Sequence, residues 1–156
     1  MPPAPRLLVV HHSRQGSTSR LCDAAVAGAR SAAETDLDVR VSSAFDAGPD
    51  DVTWCRGLLL ATPARFGYMS GALKDFFERI YYPLLERTVG LPYALVVKGD
   101  TDVDGARSSV ERVAAGLRWR LVLPPLLVVG DIAPSHLDQA TELGAALVAG
   151  LEAGIF

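Results

Sequence analysis

Residues 92–119, "PYALVVKGDTDVDGARSSVERVAAGLRW", decide between two folds. Asp100 to Glu111 satisfy the D-x-D-x-D-G-x5-E pattern of a calcium-binding EF-hand loop. Such a loop lies between two helices. Here Pro92 to Gly99 form an apolar run that reads as a buried strand, and the loop's eighth position, usually apolar, is Arg107. The segment is therefore expected to run strand, loop, helix, with Asp104 capping the helix. No metal ligand is assigned to it.

The same unit recurs along the chain. Residues 6–12, "RLLVVHH", make a continuous apolar run, as in a parallel strand covered on both faces. The stretch "SRQGSTS" leads from it into a helical pattern in which Leu21, Ala25, Ala29 and Ala32 share one face. Residues 37–43 alternate like a half-exposed strand, and 57–62, "GLLLAT", read as a third, buried one. "SGALKDFFERI" follows as a helix capped by Ser70. A fifth strand, 121–130, contains Pro124 and Pro125. The closing helix is expected to start at a Ser135 cap, with Asp138 at its third position.

Alternating strands and helices predict an α/β fold, a doubly wound five-stranded parallel sheet with helices on both faces. The half-polar second strand and the proline-bearing fifth both suit sheet edges. That points to the strand order 2-1-3-4-5.

The chain has 156 residues, 49% of them apolar, with a formal charge of −3. This suits a single domain spanning residues 1–156. No concentrated basic face predicts nucleic-acid binding. No apolar run reaches the length of a membrane span, so no membrane insertion is expected, and no signal peptide is read at the start. Cys22 and Cys55 are too far apart for a C-x-x-C motif, which makes a reducing, cytoplasmic setting the expectation.

In this strand order ligands bind beyond the carboxyl ends of the strands, near the first and third. The loop Ser13-Arg14-Gln15-Gly16-Ser17-Thr18-Ser19 brings hydroxyls and a glycine to a helix start, where N–H groups and the dipole favour an anion. It lacks both G-x-x-x-x-G-K-[ST] and G-x-G-x-x-G. Phosphate binding and a plain capped turn, with Ser17 or Thr18 as N-cap, both remain open. In "TPARFGYMSG", 62–71, Phe66 and Tyr68 flank Gly67, where a peptide unit reorients cheaply. The two rings offer a platform for a flat ligand, or else cover the sheet end.

Taken together, "HHSRQGSTSRLCDAAVAGA" and "LLLATPARFGYMSGALKDFFER" resemble the flavodoxin-like FMN proteins. The strongest similarity is to NAD(P)H-dependent FMN reductases and to NAD(P)H:quinone oxidoreductases of the tryptophan-repressor-binding-protein type. The resemblance implies that Ser13, Arg14, Gln15, Gly16, Ser17 and Thr18 hold the FMN phosphate. It further implies that Pro63, Ala64, Arg65, Phe66, Gly67 and Tyr68 contact the isoalloxazine, with Gly99 and Asp100 at its pyrimidine side. Electrons would pass from NADH or NADPH through FMN to a quinone, flavin or other small acceptor. Because the cofactor carries the chemistry, no side chain is named as catalytic. Two alternatives stand beside this oxidoreductase: a flavodoxin carrying electrons to protein partners, and a non-catalytic flavin-binding regulatory module. A homo-oligomer could complete the substrate pocket.

Of the remaining residues, His11 or His12 is expected to bond a neighbouring loop. His136 reads as solvated and Trp54 and Trp119 as packing residues; Tyr81, Tyr82, Leu84 and Leu85 are expected to pack in the core, with the flavin's substrate side or a subunit contact as the alternatives.

Overall fold

A computed structural model describes residues 4–13 and 16–156. Its central sheet is built from β1 (Arg6–His11), β2 (Asp38–Ser43), β3 (Gly57–Arg65), β5 (Pro92–Gly99), β6 (Arg120–Leu121) and β7 (Leu126–Val129). A two-residue strand, β4 (Tyr68–Met69), folds back antiparallel on β3. The helices are α1 (Ser17–Ala32), α2 (Pro49–Trp54), α3 (Gly71–Leu84), α4 (Asp104–Gly116) and α5 (Pro134–Ala153).

The path through the sheet is β2-β1-β3-β5-β6, and β7 also pairs with β5. Every pairing except β3 with β4 is parallel. This is the flavodoxin-like arrangement, a doubly wound sheet with helices on both faces. The expected edges are the observed ones. The fifth strand is split into β6 and β7, and Pro124 and Pro125 lie in the gap, where no ladder N–H is required of them.

Strand periodicity sorts the core into two layers. Leu8, Val10, Leu58, Leu60, Leu95 and Val97 face α2, α3 and α4, packing on Phe76, Phe77, Ile80 and Trp119. Leu7, Val9, Leu59, Ala61, Ala94 and Val96 face α1 and α5. Those two helices cross backbone to backbone: a Cβ on Gly144 would strike the carbonyl of Ala25, and one on Gly28 the carbonyl of Thr141. Among the described residues no helix is long and apolar enough to cross a membrane.

Several local expectations are corrected. Helix α2 was not foreseen, and Trp54 ends it, with the Arg40 guanidinium 3.9 Å from its ring centroid. Asp104 is the first residue of α4 and not its cap; Asp102 Oδ1 accepts the Asp104 N–H at 2.9 Å. At α5 the cap is built from the opposite direction. The chain turns at Ala133 before Pro134, and His136 Nδ1 accepts the Ala133 N–H at 2.9 Å, the role expected of Ser135 and Asp138. Tyr82 and Leu85 point to solvent, off the buried stripe that α3 forms from Ala72, Leu73, Phe76, Phe77, Ile80 and Leu84.

Candidate functional site

The residues that line the site come from the carboxyl ends of β1, β3 and β5. The β1 end leads through Ser13 to Gly16, which sits in the left-handed region at φ 87° as the N-cap of α1. Ser13 Oγ accepts the Gly16 N–H at 3.0 Å and closes the turn. Ser17 and Thr18 therefore do not cap the helix, and their hydroxyls bond no described group. Thr18 is nonetheless 2% exposed. A hydroxyl that lines a cleft beside a helix N-terminus with no partner among the described residues suits an acceptor-rich ligand. Arg14 and Gln15 lie outside the described residues.

At the second loop the structure departs from the sequence reading. Pro63, Ala64 and Arg65 belong to β3, which continues past the expected end at Thr62, and Pro63 pairs with Lys98 of β5. A tight hairpin follows. Ala64 pairs with Met69 and Arg65 with Tyr68, leaving Phe66 and Gly67 as a two-residue turn with φ of 53° and 68°. Both residues at positive φ is the turn geometry that matches strand twist. For Phe66 it is costly, on the order of 1 kcal/mol, and the ring is fully exposed. Phe66 does not cover the sheet end.

The turn is fastened from below. Met69 N–H donates to the buried Ser109 Oγ of α4 at 3.1 Å, and Ser70 N–H donates to Thr62 Oγ1 at 3.0 Å. Ser70 Oγ in turn accepts the Leu73 N–H at 3.2 Å, the expected cap of α3.

The third loop follows β5. Gly99 is pressed between Ala64 and Val103, where an added Cβ would lie 2.9 and 3.0 Å from their side chains. Lys98 was missed by the sequence reading. It shares strand parity with Ala94 and Val96, so it rises on the α1 side of the sheet. Its side chain is 14% exposed, and Nζ lies 3.1 Å from Oδ1 of Asp100, which is 86% exposed. A single lysine ending an otherwise apolar strand was the signal available.

Two adjoining hollows result. A narrow polar cleft is lined by Ser13, Ser17, Thr18, Pro63, Arg65, Lys98, Gly99 and Asp100. A wider groove of about 690 Å³, mostly apolar, lies beside it between Phe45 and the hairpin and includes His12, Phe66 and Tyr68. Arg65 borders both and makes no ion pair or hydrogen bond among the described residues. The groove's far wall is held by Arg79, whose guanidinium donates to the carbonyls of Ala44 and Ala47 at 2.6 and 2.7 Å. His12 meets Phe45 edge-on at 5.7 Å. His11 has a buried Nδ1 with no hydrogen-bond partner among the described residues.

No protein-family model matches the chain. It is similar to a protein named NAD(P)H dehydrogenase (quinone) from Acidithiobacillus ferrooxidans, at 32% identity over 47% of this chain and 46% of that one. It is also similar to a flavodoxin from Aquifex aeolicus, at 32% identity over 48% of this chain and 40% of the other. The matches thus span less than half the length of these curated relatives. Among solved structures, a flavodoxin from the domain Archaea superposes with a TM-score of 0.81 at 16% identity, covering 94% of this chain and 99% of that one. A flavodoxin, WrbA-like protein from Agrobacterium tumefaciens gives 0.77 at 15% identity, with 96% and 98% covered. The fold is flavodoxin-like, and over about half its length the sequence is similar to proteins named NAD(P)H dehydrogenase (quinone) and flavodoxin.

Proposed function

We propose that the chain is a single-domain FMN-binding oxidoreductase that passes electrons from NAD(P)H to a quinone, flavin or other small acceptor. The observation that carries this reading is the meeting of three strand-end loops in one cleft, hydroxyls on one wall and the β3–β4 hairpin on the other. The residues fit FMN chemically. Ser13, Ser17 and Thr18, with the first N–H groups of α1, offer donors suited to a phosphate, and the Thr18 hydroxyl has no partner among the described residues.

In this reading the segment from Ser13 to Thr18 grips the phosphate. Pro63 to Tyr68 lie along the isoalloxazine, and Gly99 and Asp100 bound its polar edge. FMN, when bound, supplies the electron transfer. The chain's own part is orientation and electrostatics: the hairpin presents a fixed backbone edge, and the Arg65 guanidinium stands ready for an anionic or carbonyl oxygen. The similarity to a protein named as a quinone dehydrogenase supports a small acceptor. A homo-oligomer and a reducing compartment belong to the same reading.

The similarity to a flavodoxin supports a second reading, an electron carrier for protein partners. A charge of only −3 gives weak long-range steering and favours the reductase. Titration with FMN, followed by anaerobic mixing with NADH and with NADPH, separates the readings. Micromolar FMN binding with bleaching by either donor is the expected result. Binding without bleaching moves the protein to the carrier reading, and absence of binding ends both.

A further inference from the structure

We infer that the groove between Phe45 and the β3–β4 hairpin is a binding site for a flat aromatic carboxylate, separate from the cleft assigned to FMN. The inference does not rest on the FMN reading. The two hollows draw on different elements: the cleft on the α1 turn and the end of β5, the groove on the β2–α2 loop and the start of α3. Arg65 is the lining residue common to both.

The walls fit a ring. Phe45, Phe66 and Tyr68 are all exposed, and all three line this groove of about 690 Å³, together with Met69 and Ala72. Exposed rings gathered around one hollow of ligand size mark a binding surface. The wall that carries Phe45 is formed in advance. Arg79 donates to the carbonyls of Ala44 and Ala47 on either side of it, and the Phe45 N–H donates to Ser43 Oγ at 3.2 Å. The hairpin on the facing wall is fastened to α4 by the bond from Met69 to Ser109. A ligand therefore has little of its site left to order.

The charge fits an acid. Among the described residues no carboxylate lines the groove, whereas the Arg65 guanidinium does and has no described partner. The first turn of α3 adds to the positive field. Ser70 Oγ accepts the Leu73 N–H, which leaves the N–H groups of Gly71 and Ala72 bonded to no described group at the positive end of the helix dipole. Asp75, the first acid of α3, is held by Arg79 at 2.8 Å. A carboxylate met by a guanidinium and backbone N–H groups forms charge-assisted bonds, the stronger class. An uncharged ring leaves those donors without an acceptor, and a small acid without a ring leaves the aromatic walls in water.

Cinnamate, cinnamamide and acetate separate the two contributions, by titration calorimetry on the full chain. Cinnamate is expected to bind at least about 10-fold more tightly than either, the range for one lost charge-assisted contact or one lost ring. Arg65→Gln should bring cinnamate to within about 3-fold of the amide and leave the amide where it was. Phe45→Ala should weaken acid and amide alike, by about 10-fold. Phe45→Leu, which keeps an apolar wall, should recover part of that loss and guards against a misfolded Ala variant. In backbone amide NMR spectra the largest shifts on adding cinnamate should include Gly71 and Ala72. Saturation with FMN should leave the cinnamate affinity within about 3-fold, as expected of separate sites. Equal binding of acid and amide by the wild type, or shifts confined to residues outside the groove, overturns the inference. Displacement of cinnamate by FMN also overturns it, by making the groove part of the flavin site, and leaves the FMN reading intact.

Discussion

The carbonyl of Gly67 occupies the space in which a side chain on Gly105 would begin. The exposed turn of the β3–β4 hairpin is thus seated directly on the first turn of α4, backbone against backbone. Together with the Met69–Ser109 hydrogen bond, this contact holds a strained Phe66 in place.

Gly105→Ala should therefore push the hairpin off α4. Overpacking of this kind costs about 1–3 kcal/mol, and here the loss falls on the site. Urea unfolding should show the destabilisation, and FMN affinity should drop by an order of magnitude or so, in line with a displaced ligand wall. Wild-type affinity in this variant would mean that the hairpin does not contact the cofactor.

Neither cysteine should react in the native protein. Burial beside α5, with Asp23 adding to it, pushes the Cys22 thiol up to about 12. Burial does the same to Cys55, also to about 12, and its Sγ–H donates to the Val52 carbonyl at 3.2 Å. At about pH 8 the thiolate fraction is on the order of one in ten thousand. Disulfide-exchange reagents should titrate no thiol until guanidinium unfolds the chain, and then two. Rapid labelling of either thiol in folded protein would contradict the burial described.

Glu152, in the last turn of α5, accepts bonds from the Thr35 hydroxyl at 2.6 Å and from the Thr35 and Glu34 N–H groups at 2.8 and 3.0 Å. The hydroxyl first, then the two N–H groups, hold its carboxyl below the ordinary range. A depressed folded value means that the stabilisation is present above the unfolded carboxylate range and is lost as pH falls through the folded value. Glu152→Ala should cost under about 1 kcal/mol near pH 7, given its exposure. The gap between wild type and variant in urea midpoint should close in acid. A gap that persists unchanged at about pH 2 would assign the effect to side-chain packing and not to the carboxylate's charge.

The alternation of strands and helices was legible in the chain because a strand buried on both faces must be apolar through its middle, as "RLLVVH", "GLLLAT" and "PYALVVKG" are. The two edges were legible from the polar alternation of β2 and from Pro124 and Pro125. The Ser70 cap was read correctly, since a cap is a contact three residues long. The Gly16, Val103 and Ala133 caps were not, because several nearby residues could each have served and only the entry angle of the chain chose between them.

The amino-acid sequence by itself determined the order of elements, the strand at each edge and the loops from which a site could be built, all through local periodicity and backbone chemistry. Tertiary structure alone decided that β3 runs on to Arg65, that Phe66 accepts a left-handed conformation, and that Lys98 rises on the face shared with α1. Each of these depends on groups far apart in the chain. The support of Gly105 and Ser109 offsets a strain that Phe66 would not bear alone, and the parity of β5 becomes meaningful only once α1 is packed against it.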